Sequence, residues 1–381
     1  MTKQTRSRIL VIGGGAGGLA AAAAAGGAGA DVTILERSDR VGKKILRTGN
    51  GRCNLSNLHI SPEAYNRPEY VTPLLEKTGC AELLDFFASI GLWTVSDGEG
   101  RVYPRSDTAS SVLDVLRLAA AERGGKELCS AQALSIRLRD RGGFIVKTAE
   151  RGDISADKVI VATGGGTDLL GPLGFSRIPF QPVLCPLRTD TGPIRGLSGL
   201  RVRCRAALIR GGKEIAAETG EILFRDFGVS GIPALDLSRF ARRGDTLALD
   251  LMPELSEEEL HARLAGRDFP GRDARERMTG TFHRRVIEAL LRSAGEDSAA
   301  ALTKTIKDFR LAVQGPGDER SAQVTRGGAD PKQFDPLTLE SRRVPGLYCI
   351  GEALDIDGRC GGYNLHWAFA SGLAAGRSAS T

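Results

Sequence analysis

The spacing of apolar residues changes twice within the first forty positions. Arg8–Ile12, RILVI, holds a continuous apolar run, the pattern of a short strand buried on both faces. It ends in the glycine cluster Gly13–Gly18, GGGAGG. Leu19–Ala25 then places six alanines, the strongest helix formers, behind one leucine. Ala30–Glu36, ADVTILE, predicts a second strand that ends on an acid. The unit therefore reads strand, tight turn, helix, strand. Two similar strands recur far downstream. Lys158–Val161 runs into Ala162-Thr163-Gly164, and Leu347–Ile350 runs into Gly351-Glu352. The pair Gly361-Gly362 opens a last helix. Between these, 186–250 carries short alternating runs such as RVRCRAALIRGGKEI and DTLALDLMP, which suit strands. Ser256–Ala265, Asp273–Gly295 and Ser298–Val313 read helical, with Ser256 and Glu259 spaced as a capping box.

Gly13, Gly15 and Gly18 form a GxGxxG spacing at the first turn. Gly13 permits the sharp turn, Gly15 lets backbone approach a pyrophosphate, and Gly18 lets the helix pack on the sheet. With Ala16, the helix start offers unpaired N–H groups to that anion. Glu36 lies eighteen residues beyond Gly18, where its carboxylate can accept from ribose hydroxyls. An acid there disfavours a ribose 2′-phosphate. Arg37 follows it directly.

A nicotinamide dehydrogenase would satisfy that much, but the downstream motifs favour FAD. Ala162-Thr163-Gly164 matches the segment by which two-dinucleotide flavoproteins return to the nucleotide domain. Gly351-Glu352 places an acid where such proteins contact the ribitol. Gly362, Asn364 and Leu365 open a helix whose N-terminus stabilises negative charge on a reduced flavin. The stretch KKILRTGNGRCNLSN, Lys43 to Asn57, is too polar for a core strand and too rich in glycine for a helix. Beyond the adenosine-side acid it can run toward the flavin ring. There Gly49 and Gly51 allow backbone approach, and Lys43, Lys44, Asn50, Arg52 and Asn54 supply donors. Ala133 joins the expected cofactor contacts.

That stretch, with GRVYPRSDTASSVLDVL, GEILFRDFGVSGIPALDLSR, AQVTRGGAD, VPGLYCIGEALDIDG and GGYNLHWAFASG, resembles the blocks of the BaiN/RdsA-type FAD-dependent oxidoreductases. That family includes aminoacetone-oxidase-like flavoproteins and bile-acid reductases. The resemblance spans nearly the whole chain. It implies a glutathione-reductase-like FAD-binding Rossmann domain of α/β class, discontinuous over 1–185 and 314–381. It also implies a β-rich insert over 186–250 and a small helical insert over 251–313. FAD is expected to be non-covalent and to act as the redox centre on a small-molecule substrate. The chain departs from the family in three places. Only TDLLGPLGFSRI follows Gly166, Arg225 and Asp226 replace more familiar residues, and Arg326 stands where a small residue is common.

Composition narrows the alternatives. The 381 residues are 41% hydrophobic and 26% charged, with net charge +6, so two or three soluble domains are expected and nucleic acid is not demanded. The Leu19–Ala25 run is far short of the roughly 20 residues of a membrane span. MTKQTRSRILVIGGG enters a strand at once, which leaves no room for a signal peptide. Seven dispersed cysteines without CxxC predict reduced thiols in the cytoplasm, and the lack of CxxxxC on the first helix argues against a disulfide reductase. The four scattered histidines suggest no metal. There is no second GxGxxG, so NAD(P)H as donor would bind transiently at the flavin face.

No catalytic acid or base stands out. Cys53 is a candidate nucleophile if Arg52 lowers its pKa, against a simpler role as a packed small residue. Tyr363 and His366 are candidate acids, against packing or capping. Trp93 and Trp367 are expected in the core. Two other function classes stay open. A flavin-dependent tRNA-modifying protein would use the Arg-rich insert, and a non-catalytic FAD-binding sensor would show no turnover.

Overall fold

The computed structural model describes residues 6–266, 271–317 and 321–381. The first five residues, and 267–270 inside the expected helical insert, lie outside the described residues. The chain divides into two compact units, Met1–Gln181 with Val324–Thr381, and Pro182–Gln323.

The first unit is built on a parallel sheet of five strands: β1 (Arg8–Ile12), β2 (Asp31–Leu35), β3 (Lys126–Leu128), β4 (Lys158–Val161) and β5 (Leu347–Cys349), in the order β5-β4-β1-β2-β3. Val11 in the central strand pairs with Ile34 on one side and Ile160 on the other. All three are fully buried, as the continuous apolar runs require in a sheet covered on both faces. Helix α1 (Ala16–Gly27) connects β1 to β2, α2 (Ala109–Glu122) precedes β3, and α3 (Tyr363–Ser380) closes the chain. The sheet and α1 form a dinucleotide-binding Rossmann unit. A Rossmann architecture, with a parallel sheet and added β-structure, is thus the fold of this chain.

α1 and α3 pack backbone to backbone, and their side chains explain how. A Cβ on Gly372 would lie 2.3 Å from the Gly17 carbonyl oxygen, and one on Gly376 would lie 2.4 Å from that of Ala21. Ser380 Oγ then reaches the Ala25 carbonyl at 3.4 Å. Each step of four residues along α1 matches a step of four along α3, so the helices run parallel. Gly17 is level with Ala368 and Gly372, so α3 begins about 10 Å ahead of α1 at 1.5 Å per residue.

Two antiparallel sheets decorate this unit. One is a meander of Ala133–Leu138, Phe144–Thr148 and Asp153–Ala156. The other joins Ser56–Asn57 to the hairpin Thr94–Ser96 and Arg101–Pro104. Trp93, expected in the core, begins that hairpin and is 77% exposed. Trp367 is buried as expected. Both are isolated tryptophans in mixed sequence, and only packing separates them.

The second unit holds a closed six-stranded antiparallel barrel, in the order Leu187–Thr189, Gly228–Ser230, Lys213–Arg225, Arg201–Arg210, Thr246–Asp250 and Phe309–Pro316. Helices Glu257–Leu264, Ala274–Met278, Arg284–Ala294 and Ala299–Lys307 lie in one connection of this barrel. The Ser256–Glu259 capping box forms in both directions. The last helix is shorter than expected. It stops at Lys307, and Phe309, Leu311 and Val313 alternate inward as a strand. Period-two burial there overrides a run that a helical periodicity also accommodates.

The helix contact generates a stability prediction. Gly372→Ala, whose methyl would strike backbone, is expected to cost about 2 kcal/mol or more in urea unfolding. Gly98→Ala, with no atom within 4 Å of a Cβ, serves as the control. Equal midpoints for the two variants would show that α1 and α3 do not pack this closely.

Candidate functional site

The cradle begins at the first turn. Gly13 has φ of 110°, and a Cβ there would meet the Ala162 carbonyl oxygen at 2.3 Å. Its N–H donates to the Leu35 carbonyl at 2.7 Å, and Ala162 N–H donates to that of Ile12 at 2.8 Å. The glycine cluster and Ala162-Thr163-Gly164 therefore abut. A Cβ on Gly18 would lie 1.9 Å from the Gly13 carbonyl oxygen, which accounts for the third glycine. Gly15 differs: a Cβ there would touch nothing within 4 Å. It caps α1 with no side-chain hydrogen bond, and Ala16 begins the helix half-buried with no acid in the first turn.

Glu36 closes the far side of this turn. One carboxylate oxygen accepts from Gly14 N–H at 2.9 Å and the other from Ser38 N–H at 2.8 Å. Ala131, which the sequence does not single out, donates its N–H to the Glu36 carbonyl at 2.9 Å. Ala133 lies farther along, half-buried on the meander opposite Thr148. Arg37 is exposed, and Lys43 pairs with Asp39 in solvent at 2.5 Å.

The third motif meets the second through Glu352. Its carboxylate accepts from Lys44 Nζ at 2.6 Å and from Thr325 N–H at 3.4 Å. A Cβ on Gly164, itself at φ of 69°, would sit 3.6 Å from that carboxylate. Lys44 thus ties the polar loop to the segment that follows Gly351. The loop itself is tightly wound. Gly49, Asn50, Gly51 and Cys53 have φ of 55°, 56°, 87° and 59°, so four of five consecutive residues are left-handed. Glycine and asparagine tolerate this readily, and a cysteine does so only when its surroundings hold it.

Several expected roles change here. Arg52 turns away from Cys53: its Nε donates to Asp107 at 2.5 Å, and its guanidinium lies 4.1 Å from the Tyr103 ring centroid. Cys53 is fully buried, and burial pushes its thiol up to about 11. At neutral pH its thiol is neutral and packed in the interior. Asn54 is engaged by the protein. In the amide orientation its neighbours require, it donates to the Ser56 carbonyl at 2.9 Å and the Val102 carbonyl at 3.2 Å, and accepts from Gly362 N–H at 3.1 Å. The Asn364 amide is likewise held by the Gly358 carbonyl at 2.9 Å, the Arg359 carbonyl at 3.1 Å and Gly358 N–H at 2.8 Å. Asn364 and the half-buried Leu365 lie in the first turn of α3.

His366 is not a surface acid either. Its Nε2 lies 3.0 Å from the Thr78 carbonyl, which can only accept, so Nε2 carries the proton. Nδ1 then accepts from the Ser56 hydroxyl at 2.9 Å. Burial pulls this histidine down to about 4. Tyr363 is half-buried, with its hydroxyl 3.3 Å from the His59 carbonyl and its ring edge-on to Tyr65.

Two buried acids escaped the sequence reading. Asp355 accepts from Arg67 at 2.5 and 3.1 Å and from Gly327 N–H at 3.0 Å. Asp357 receives a two-point contact from Arg326 at 2.6 and 2.9 Å. Asn66 bridges the segment, accepting from Asp357 N–H at 2.9 Å. A buried carboxylate without a partner is costly, so the alternation of acids in LDIDG signals cationic partners elsewhere in the chain. Arg326 departs from the family pattern and is the partner of Asp357.

The N-cap residues of the two helices, both glycine, make no side-chain capping bond, and a Cβ at Gly15, Gly51 or Gly166 would meet no atom within 4 Å. An anionic dinucleotide fits such a surface. A model of the HI0933-like protein Rossmann domain matches residues 7–378. The chain belongs to the HI0933-like family. It is an FAD-dependent oxidoreductase. Within this family it is similar to the 3-dehydro-bile acid delta(4,6)-reductase of Clostridium scindens, with 36% identity over 92% of this chain and 93% of that protein. It is also similar to the ribosomal RNA dihydrouridine synthase of Escherichia coli, with 28% identity over 96% of each. The structure of 3-ketosteroid-delta4-(5alpha)-dehydrogenase from Rhodococcus jostii RHA1 shares the fold. Its TM-score is 0.50 at 16% identity, over 100% of this chain and 98% of that one. Among the described residues, no helix is long and apolar enough to cross a membrane, and no group of three or more His, Cys, Asp or Glu could hold a metal ion.

His366 makes stability depend on pH. Between pH 6.5 and 4 the unfolded chain binds its proton and the folded chain does not, so stability falls as pH falls through that window. The loss reaches about 3 kcal/mol at 1.36 kcal/mol per unit. His366→Gln should flatten this part of the curve in urea unfolding, and an unchanged slope would rule out the buried neutral imidazole.

Proposed function

We propose that this chain reduces a carbon–carbon double bond conjugated to a carbonyl in a small cyclic substrate, with NAD(P)H as the transient electron donor. The observation that carries this reading is the pair of uncapped helix starts on two parallel, contacting helices. They form two poles, about 10 Å apart along the helix axes, at which one extended FAD would be held.

Gly15 and Ala16 would hold the pyrophosphate through backbone N–H groups, with Gly13 and Gly18 keeping the turn and helix in place. Glu36 would hold the ribose, with Arg37, Lys43 and Ala133 on the adenosine side. Ala162, Thr163 and Gly164 would lie along the chain of the cofactor, and Lys44 with Gly351 and Glu352 at its ribitol. Gly49, Asn50, Gly51 and Arg52 would present backbone to the ring. The backbone N–H groups of Asn364 and Leu365, with Gly362 setting the start of the helix, would face its pyrimidine edge, where negative charge is stabilised by the helix start. Cys53 and Asn54 would shape this loop from behind. Bound FAD supplies hydride transfer.

Among the described residues, none of the cysteines forms a disulfide. The substrate class rests on the relatives. A delta(4,6)-reductase acting on a 3-dehydro-bile acid and a dihydrouridine synthase share one chemistry, saturation of a ring double bond conjugated to a carbonyl. A second reading, reduction of a pyrimidine within RNA, has one feature in its favour. Arg37, Arg40, Arg47 and Arg105 are exposed, and Trp93, whose carbonyl accepts from Arg105 N–H, presents its ring to solvent.

Two measurements test this. Purified protein, reduced anaerobically with NADH or NADPH, should be reoxidised by a cyclic conjugated enone and not by its saturated ketone. Reoxidation by oxygen alone would defeat the substrate class, and salt-sensitive retention of RNA would favour the second reading. Separately, Gly15→Val should leave unfolding of the apoprotein within about 0.5 kcal/mol of the parent. It should weaken flavin binding about tenfold or more. Intact binding would remove Gly15 from the cradle.

A further inference from the structure

The loop strand and the last helix meet at one peptide group, the one joining Gly361 to Gly362. Asn57 Nδ2 donates to the Gly361 carbonyl at 2.9 Å. Asn54, three residues earlier, accepts from Gly362 N–H at 3.1 Å. The carbonyl and N–H of a trans peptide point in opposite directions. Two asparagines, one on the short strand Ser56–Asn57 and one just before it, therefore grip opposite edges of a single peptide plane. Neither side chain is loose. Asn57 is 5% exposed, and its Oδ1 accepts from His59 N–H at 2.9 Å. Asn54 is pinned to Ser56 and Val102.

The gripped peptide is conformationally free on its own. Gly361 and Gly362 both have φ of 105°, a region that only glycine occupies comfortably. A Cβ on Gly362 would lie 2.2 Å from the Ser56 carbonyl oxygen, so no other residue fits against this strand. Gly362 is the N-cap of α3, and no side chain of the helix caps it. Two glycines in sequence would let that peptide rotate and re-aim the first N–H groups of the helix. The asparagines remove this freedom.

We propose that Asn57 and Asn54 are positioning residues that set the reduction potential of the flavin by fixing the direction of the first N–H groups of α3. This deepens the cofactor reading above and rests on it. Negative charge gained at the pyrimidine edge on reduction is stabilised only by donors held in one direction. Preorganisation by Asn57 therefore favours the reduced flavin over the oxidised one. Asn57→Leu, which keeps the size and adds no charge, releases the Gly361 carbonyl.

Two arms test the assignment. In the first, flavin affinity and midpoint potential are compared for wild type and Asn57→Leu. The expected result is about tenfold weaker binding and a reduced-to-oxidised ratio about tenfold lower at fixed poise, about 30 mV for a two-electron couple. A variant that binds flavin with unchanged potential overturns the assignment. A wild type that takes up no FAD overturns the cofactor reading itself, a separable result. The second arm needs neither flavin nor a folded variant. Hydrogen exchange of wild-type apoprotein over residues 361–367 should show Gly362 N–H protected before any cofactor is added. Exchange at the rate of an open peptide shows that the clamp does not exist.

Discussion

The close contact of α1 with α3 is the constraint on which the rest of the first unit depends. Gly17, Gly372 and Gly376 let the two helix backbones touch. Because the helices are parallel, both starts point the same way, and their partial positive charges add on one side of the sheet. A larger residue at any of the three glycines would separate the helices and misalign the poles. The alanines of α1 serve the same end, since their small side chains fill the sheet surface without holding the neighbouring helix away.

The polar loop and the C-terminal segment form the second constraint. Lys44 reaches Glu352, Asn54 and Asn57 grip the Gly361–Gly362 peptide, and Arg67 and Arg326 neutralise Asp355 and Asp357. Apart from Arg326–Asp357, which are 31 positions apart, each link joins residues almost 300 or more positions apart. Left-handed backbone at Asn50 and Cys53 is sustained by this surrounding network. The polar character that made the stretch look foreign to a core is explained by these contacts. Most of its side chains hold protein backbone or opposite charge, and it is largely the backbone that faces the cradle.

Local rules succeed where a role is carried by backbone conformation. Gly13 and Gly18 make the sharp turn and the close helix packing that their spacing implies, and Glu36 stands at the edge of that turn. They fail where a role depends on which way a side chain turns. Arg52 sits next to Cys53 in sequence but faces Asp107, so it cannot activate the thiol. Asn54 and Asn364 are polar residues in a glycine-rich loop and at a helix start, yet both bind backbone. His366 resembles a catalytic acid by position, and burial makes it a neutral bridge between Ser56 and Thr78. In the second unit, Phe309–Pro316 completes a barrel that only its distant strand partners could specify.

From the sequence alone came the βαβ unit, the three dinucleotide motifs, the family and the FAD-dependent class of the chemistry. These are properties of short-range geometry: strand runs, glycine turns and helix starts are set by residues within a few positions of one another. Tertiary structure alone decided which side chains face the cradle, which thiols and imidazoles stay neutral, and which acids find arginines. Those outcomes depend on burial and on partners brought together from opposite ends of the chain. Desolvation, not residue type, decides whether a group such as Cys53 or His366 carries a charge.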